Sequence, residues 1–104
     1  MSVAVMAQVW DTTLPKPLKF LLLAMADHAN PLGAGVWPGV RLLAWKTSDS
    51  ERNVRRLLSK LEAMELIHSV AYRTGGHGKA THWIINLEEL GNYSEVYLPT
   101  KPKP

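Results

Sequence analysis

The repeat of apolar and charged residues between positions 50 and 62 is the clearest periodic pattern in the chain. Apolar residues recur at positions 54, 57, 58 and 61, which is the spacing of one buried helical face. The opposite face carries the basic side chains Arg52, Arg55, Arg56 and Lys60, with Asn53 and Ser59 beside them. The pattern predicts a helix that packs on a small core and turns an arginine-rich side toward phosphates and bases.

A more uniformly apolar segment predicts the central helix of that core. Pro15 and Pro17 interrupt regular structure before this segment, and proline is tolerated in the first turn of a helix. The helix should therefore begin near Pro17 and run through residues 18–29. It is apolar nearly all round, which indicates burial on most sides. Residues 1–14 before it mix small and apolar side chains and are compatible with a strand or with a short helix.

Shorter elements fill the rest of the chain. Residues 30–35 have loop chemistry, residues 36–37 suggest a very short strand, and a short helix should follow Pro38 over residues 40–46. Strands are predicted at residues 67–72 and 81–87, joined by a glycine-rich turn at residues 73–80. We therefore expect one domain over residues 1–90, with residues 91–104 as a C-terminal extension or linker.

Two serines compete to cap the helix that begins near residue 51. Ser50 is a good N-cap, whereas Ser48 with Glu51 three residues later would form a capping box in another register. We favour Ser50 because it aligns the stripe that starts at Val54 with the core.

The charge distribution says more than the totals. The 104 residues carry a formal charge of +3, which many proteins share. Residues 41–60, however, hold six lysines or arginines against Asp49 and Glu51, whereas residues 84–98 hold only glutamates among their charged side chains. Positive charge is thus concentrated on the middle helices, which favours an anionic partner for that side of the molecule.

Several classes of protein are disfavoured by what the sequence contains. It has no cysteine, its four histidines are dispersed, and its longest apolar run, residues 20–26, is too short to span a bilayer. The N-terminus lacks the features of a signal peptide, so we expect a soluble cytoplasmic protein without membrane contact, nucleoid-associated in a bacterial or phage-infected cell. There is no phosphate-binding loop or nucleophile constellation, so we expect neither an enzyme nor a cofactor or metal.

Several short motifs follow one another in a recognisable order across residues 6–87. They are Val9-Trp10-Asp11, Leu22 to Asn30, Trp37-Pro38, Leu43-Ala44, Ser50 to Arg56, Leu61-Glu62 and Gly75 to Lys79, followed by Trp83 and Asn86. In this order the chain resembles the winged helix-turn-helix modules of phage and plasmid replication-initiation and related regulatory proteins. The resemblance implies an α+β, mostly helical fold with a three-helix core and a β-hairpin wing, and it implies binding to double-stranded DNA.

The sequence departs from the family pattern in and before the turn. Such turns usually hold a glycine and then an apolar residue before the serine, and here Ser48 and Asp49 occupy those positions. Asp49 also adds a negative charge near the expected DNA face. Trp45 stands where a polar or basic residue is usual, and three roles remain open for it: exposure, packing under the C-terminal segment, or a subunit contact. The other three tryptophans, Trp10, Trp37 and Trp83, are expected in the core.

The candidate DNA-binding residues lie on the third helix, about residues 51–65, and on the wing, residues 73–80. Arg52 and Arg56 share one face and are the best candidates for base edges. Ser50 and Asn53 can reach phosphate or adenine, and Arg55 and Lys60 should touch phosphates or solvent. The wing candidates are Arg73, His77 and Lys79. The plainer alternatives are a solvated helix face and a hairpin whose glycines only make the turn tight.

Sequence-specific binding of double-stranded DNA, in replication initiation or in transcriptional regulation, is the leading hypothesis. The alternative is a winged-helix module for protein interaction, in which Trp45 and residues 96–98 would matter more than the basic face. Further candidate partners are a second copy of the chain, which would make a dimer, and proteins of replication or transcription.

Overall fold

A computed structural model describes residues 1–73 and 79–99, with the side chains of residues 71–73 and 79–81 left out of the description. Five helices and one hairpin follow in the order α1 (Val3–Trp10), α2 (Lys16–Ala26), α3 (Val40–Thr47), α4 (Glu51–Ala63), β1 (Ile67–Arg73), β2 (Lys79–Ile85) and α5 (Leu87–Gly91). The described part of the chain is mostly helical, with a two-stranded antiparallel hairpin after α4. This confirms the predicted fold class, and its order is that of a winged helix-turn-helix.

The core lies where α2 and α4 meet. Helix α2 buries Leu18, Leu21, Leu22, Met25 and Ala26, and α4 buries the predicted stripe of Val54, Leu57, Leu58 and Leu61. Helix α3 adds Leu43 and Ala44 to the same cluster. These apolar side chains leave water together, which is the main force that fixes how α2, α3 and α4 lie against one another.

The N-terminal segment is a helix rather than a strand. Its start is capped by Ser2, whose hydroxyl accepts a hydrogen bond from the backbone N–H of Val5 at 3.2 Å. Val5 and Val9, one turn apart, are fully buried and attach α1 to the core. The chain after α5 returns to the end of this helix, since Thr12 and Ser94 form an antiparallel bridge.

The turn between α3 and α4 takes the usual shape although it lacks the usual glycine. Ser48 adopts the left-handed conformation, with φ 54° and ψ 44°. The N–H of Asp49 then reaches back to the carbonyl of Ala44 at 2.9 Å, as in helix ends closed by a left-handed residue. The Ser50 hydroxyl accepts from the N–H of Asn53 at 3.0 Å, so Ser50 is the cap and the Ser48 register is wrong.

Helix α4, like α3, is followed by a residue with a positive φ, and the hairpin begins shortly after it. Glu65 has φ 62°, and the N–H of Leu66 donates to the carbonyl of Leu61 at 3.0 Å. Strands β1 and β2 then pair from Ile67 with Ile85 outward. Val36 adds a single antiparallel bridge to Trp83, so the very short strand predicted at residues 36–37 is present as one paired residue.

A partly buried ammonium group joins the end of α2 to α3. The Nζ of Lys46 donates to Asp27 Oδ2 at 2.7 Å and to His28 Nε2 at 2.8 Å. The hydrogen bond from Lys46 lowers the pKa of Asp27 below its usual 3.8. Burial, and then the neighbouring ammonium, lowers the pKa of His28 below its usual 6.5. Asp27 and His28 are thus joined through the lysine that both contact.

The structure corrects several sequence-based expectations about the first half of the chain. Helix α2 ends at Ala26 rather than at Ala29, because the chain tightens into a turn in which His28 and Ala29 bond to carbonyls only three residues back. The same helix is apolar nearly all round but is not buried on every side, since Phe20 keeps 53% of its surface in solvent. Trp10 and Trp37 were expected in the core but lie mostly exposed, whereas Trp83 packs partly against it.

Two further corrections concern the C-terminal part. The return strand ends at Ile85, two residues earlier than predicted, because Asn86 caps a short helix for which the sequence carries no periodic pattern. Its side-chain oxygen accepts the N–H of Glu89 at 3.2 Å, and Leu90 is buried against the core. A five-residue helix offers too few turns for a periodic signal, and its formation depends on this burial.

Removal of a buried leucine from α4 should be costly. Leu61 is fully buried, so we expect Leu61→Ala to lower the free energy of unfolding by about 2–5 kcal/mol through lost burial and the cavity left behind. Denaturant unfolding measures this. Leu32→Ala is the matched control, because Leu32 is 79% exposed and the same truncation there should change little. Equal unfolding curves for Leu61→Ala and the parent would contradict the packing described here.

Candidate nucleic-acid interface

Burial of one face of α4 determines what its other face presents. With about 100° of rotation per residue, Arg52 and Arg56 project close to opposite the buried stripe. Both side chains are exposed, as are those of Arg55 and Lys60. The four basic residues therefore form a cationic surface, hereafter the basic face, that runs along the outer side of α4.

Ser50 and Asn53 stand at the N-terminal end of the basic face. Ser50 is exposed and already accepts a hydrogen bond as the helix cap, while its hydroxyl hydrogen remains available to an acceptor. The helix N-terminus also carries the positive end of the helix dipole, which favours an anion there. Ser50 thus stands where a phosphate would be favoured.

A chain of hydrogen bonds along one flank of α4 ends on Arg56. Asp49 Oδ2 accepts from the side-chain Nδ2 of Asn53 at 2.6 Å. The Oδ1 of Asn53 then accepts from both Nε and Nη2 of Arg56, at 2.9 and 2.7 Å. We name this series of three side chains the Asp49–Asn53–Arg56 chain. Because a carboxylate can only accept, Asp49 turns the amide so that its oxygen faces the arginine.

The position of the Asn53 oxygen leaves a defined set of donors on Arg56. A guanidinium has five N–H groups, and Asn53 engages Nε and one hydrogen of Nη2. The remaining hydrogen of Nη2 and both hydrogens of Nη1 point away from the helix flank. This end of the guanidinium is the pair of donors that can grip the two acceptors of a guanine in the major groove.

The other basic residues of α4 are held less firmly. Arg55 Nη2 lies 3.4 Å from Glu51 Oε1, one turn earlier, and both side chains are well exposed, so the pair is weak and screened by salt. Among the described residues, the side chains of Arg52 and Lys60 form no hydrogen bond or ion pair.

The wing is described only in part. Arg73 and Lys79 face each other as the last pair of the hairpin ladder, so their backbones lie side by side. Their side chains, and the whole of His77 with the three glycines around it, lie outside the described residues. Ser69 of β1 contacts Glu62 of α4 at 3.4 Å, which connects the base of the wing to the helix that carries the basic face.

The part that Asp49 plays was not predicted from the sequence. Asp49 was expected only to add a negative charge near the DNA face, and Asn53 was expected to contact phosphate or adenine directly. A signal was present, since Asp49 and Asn53 are four apart and Asn53 and Arg56 are three apart, which are spacings of neighbours on a helical surface. The partner of each side chain could only be assigned once the turn was known to bring Asp49 into line with the helix.

Other kinds of site find no support among the described residues. Those residues hold no group of three or more histidine, aspartate or glutamate side chains able to bind a metal ion. None of the helices described is both long enough and apolar enough to cross a membrane.

Comparison with known families agrees with this architecture. A family model described as a helix-turn-helix domain matches residues 12–67, more than half of the 104 residues. No curated protein and no solved structure gives a significant match. The matched range covers α2, α3, the turn and α4, and it stops at the first residue of β1. The chain therefore belongs to the helix-turn-helix domain family.

Proposed function

We propose that this protein binds double-stranded DNA in a sequence-specific manner, with α4 as the recognition helix in the major groove. The observation that carries the proposal is the exposed basic face on a helix whose opposite face is buried in the core. Membership of the helix-turn-helix family supports the same partner. The major groove is wide enough to admit an α-helix, and its base edges present acceptors to arginine.

In this proposal Arg56 contacts a base and Arg52 contacts a second base one turn away. The Asp49–Asn53–Arg56 chain supports the role of Arg56, because an arginine held in place before binding loses less conformational freedom when it meets its base. Asn53 and Asp49 are then positioning residues. Ser50, Arg55 and Lys60 contact phosphates, which orient the protein on the duplex without distinguishing one sequence from another.

The wing supplies a second set of contacts. We propose that Arg73, His77 and Lys79 approach the backbone beside the groove that α4 enters. The hairpin follows α4 directly, and Ser69 and Glu62 connect the two elements. Basic side chains on such a loop would add affinity that falls with salt.

The biological setting rests on the resemblance described above. The module resembles those of phage and plasmid replication-initiation and related regulatory proteins. We therefore propose a role either in replication initiation or in transcriptional regulation. Residues 1–90 would form the binding unit, and residues 91–104 an extension.

A protein-interaction module is the second candidate. The observation that favours it is the exposure of Trp45, 79% of whose surface is open on α3. Salt separates the two candidates: phosphate contacts release counterions, so affinity for DNA falls steeply as salt rises. Binding between apolar surfaces lacks that dependence.

The two central arginines should set base preference. We expect Arg52→Ala and Arg56→Ala each to weaken binding to the preferred duplex by about 1–3 kcal/mol and to relax the choice of one base. Selection of duplexes from a random pool identifies the preferred sequence, and titration at several salt concentrations measures affinity. Lys60→Ala is the control, since loss of a phosphate contact should weaken all sequences about equally. Unchanged base preference in both arginine variants would show that α4 is not in the proposed register.

Substitution of Asp49 can show whether this residue positions Arg56, because the loss of its charge alone would have a different effect on binding. Removal of a carboxylate near DNA should strengthen binding to every sequence, because it removes a repulsion. If Asp49 orients Arg56, Asp49→Ala should also reduce discrimination at the base that Arg56 contacts. Duplexes that differ at that base measure both effects.

A double-mutant cycle identifies the route of this effect. Asp49→Ala should cause no further loss of discrimination when Arg56 is already alanine, since both changes act on the same contact. Circular dichroism of the variants checks that the turn still folds. Full discrimination in Asp49→Ala would contradict the positioning role and leave DNA binding by α4 intact.

The wing should contribute phosphate contacts only. We expect the double variant Arg73→Ala, Lys79→Ala to lower the slope of log affinity against log salt by up to about 0.9 for each lost contact. The preferred sequence should stay the same, because phosphate contacts do not distinguish bases. The double variant Lys101→Ala, Lys103→Ala removes the same charge from the C-terminal tail and serves as the control. An unchanged slope in the wing variant would show that the wing does not touch DNA.

A further inference from the structure

An apolar groove opens between α1, the start of α2, the turn and α4. It has a volume of about 520 Å³. The buried Leu21 and Leu57 form its floor, and the half-exposed rings of Trp10 and Phe20 form its walls. Lys16 is exposed at its edge. Leu57 lies about 140° from Arg52 around the axis of α4, so these two side chains project from different sides of the helix. Asp49 of the turn also lines the groove, so the groove adjoins the Asp49–Asn53–Arg56 chain.

Three exposed apolar residues leave the fold close to this groove. The N–H of Glu95 donates to the carbonyl of Asp11 at 2.8 Å, next to the bridge between Thr12 and Ser94. Because the pairing is antiparallel, the chain beyond Glu95 heads past Asp11 toward Trp10. Residues 96–98, hereafter the arm, are Val96, Tyr97 and Leu98, with exposed fractions of 78%, 81% and 53%.

The arm and the groove are chemically matched. Trp10 and Phe20 line the groove with more than half of their surface exposed, and the arm, which follows Glu95 beside Asp11, exposes three more large apolar side chains. Large apolar surface left open to water is uncommon on a monomer and marks a surface that another molecule covers. Two lysines, Lys16 and Lys19, and one carboxylate, Asp49, line the groove, so its net charge is positive and complements Glu95, which precedes the arm.

We propose that the groove of one copy of this protein receives the arm of a second copy. The arm starts beside a wall of its own groove and yet remains exposed, so it is available to another molecule. Three extended residues reach about 10 Å from their anchor, which is enough to enter a groove on an adjoining copy. Since each copy carries both an arm and a groove, the exchange is reciprocal and forms a closed two-fold dimer.

Sedimentation equilibrium of the full chain and of two matched variants tests the exchange. Tyr97→Asp charges the arm and Phe20→Asp charges the groove, and both positions are exposed enough for the fold to tolerate the change. We expect a wild-type dimer and, for each variant alone, a dimer dissociation constant raised by about 100-fold or more, as for a buried aromatic anchor. Trp45→Asp, at an exposed position on α3, should dimerise like the wild type.

Mixing the two variants gives the decisive result. The Phe20→Asp copy retains a good arm and the Tyr97→Asp copy retains a good groove, so an equimolar mixture should form a dimer that neither variant forms alone. Three results would overturn the proposal: a wild-type protein that stays monomeric at about 1 mM, variants that dimerise as the wild type does, or a mixture that stays monomeric. An arm that folds into its own groove would give the first of these. None of the measurements involves DNA, so they stand apart from the proposed function.

Discussion

The burial of the apolar stripe of α4 against α2 and α3 is the interaction on which the rest of this structure depends. Val54, Leu57, Leu58 and Leu61 leave water together, and this fixes the rotation of α4 about its own axis. A rotation by one residue would expose part of the stripe and turn Arg52 and Arg56 away from the outer face. The apolar positions thus determine where the basic positions point. A domain of this size has little stability to spare, so the core that orients the arginines is also the core that keeps the chain folded.

The turn before α4 adds a second constraint of a local kind. Ser48 takes a left-handed conformation that costs a residue with a side chain more than it costs glycine. The geometry brings Asp49 in line with the helix, where it meets both the N–H of Ser50 at 2.8 Å and the amide of Asn53 at 2.6 Å. The carboxylate of Asp49 repels the phosphates of DNA electrostatically, yet it also fixes the positions of the side chains next to it. The carboxylate of Asp49 therefore lowers the affinity for DNA of any sequence, while it supports the preference for one sequence.

The elements predicted correctly from the sequence are those whose cause is local. Helix α4 could be predicted because its pattern repeats over three turns, and the cap at Ser50 because its hydroxyl accepts the N–H of Asn53, three residues further along the chain. The errors arise where tertiary packing decides. Trp10 is as apolar as a core residue, but it lies at the end of a helix whose buried face is taken by Val5 and Val9. Helix α5 exists because Leu90 finds a place in the core, and no repeat in five residues predicts that. The partners of Asn53 likewise depended on the path of the turn.

The two proposed surfaces have a joint consequence for the DNA. Leu57 is the residue of α4 that lines the groove, so the exchange of arms would leave Arg52 and Arg56, on another side of the helix, open to DNA on both copies. A two-fold dimer presents its two recognition helices in opposite directions along the duplex, and its target must then have the same symmetry. Two half-sites related by an inverted repeat would each meet one α4, at a spacing set by the dimer rather than by either helix. A monomer would place no such demand on its target. The symmetry of the preferred sequence is thus tied to an apolar contact that never touches DNA.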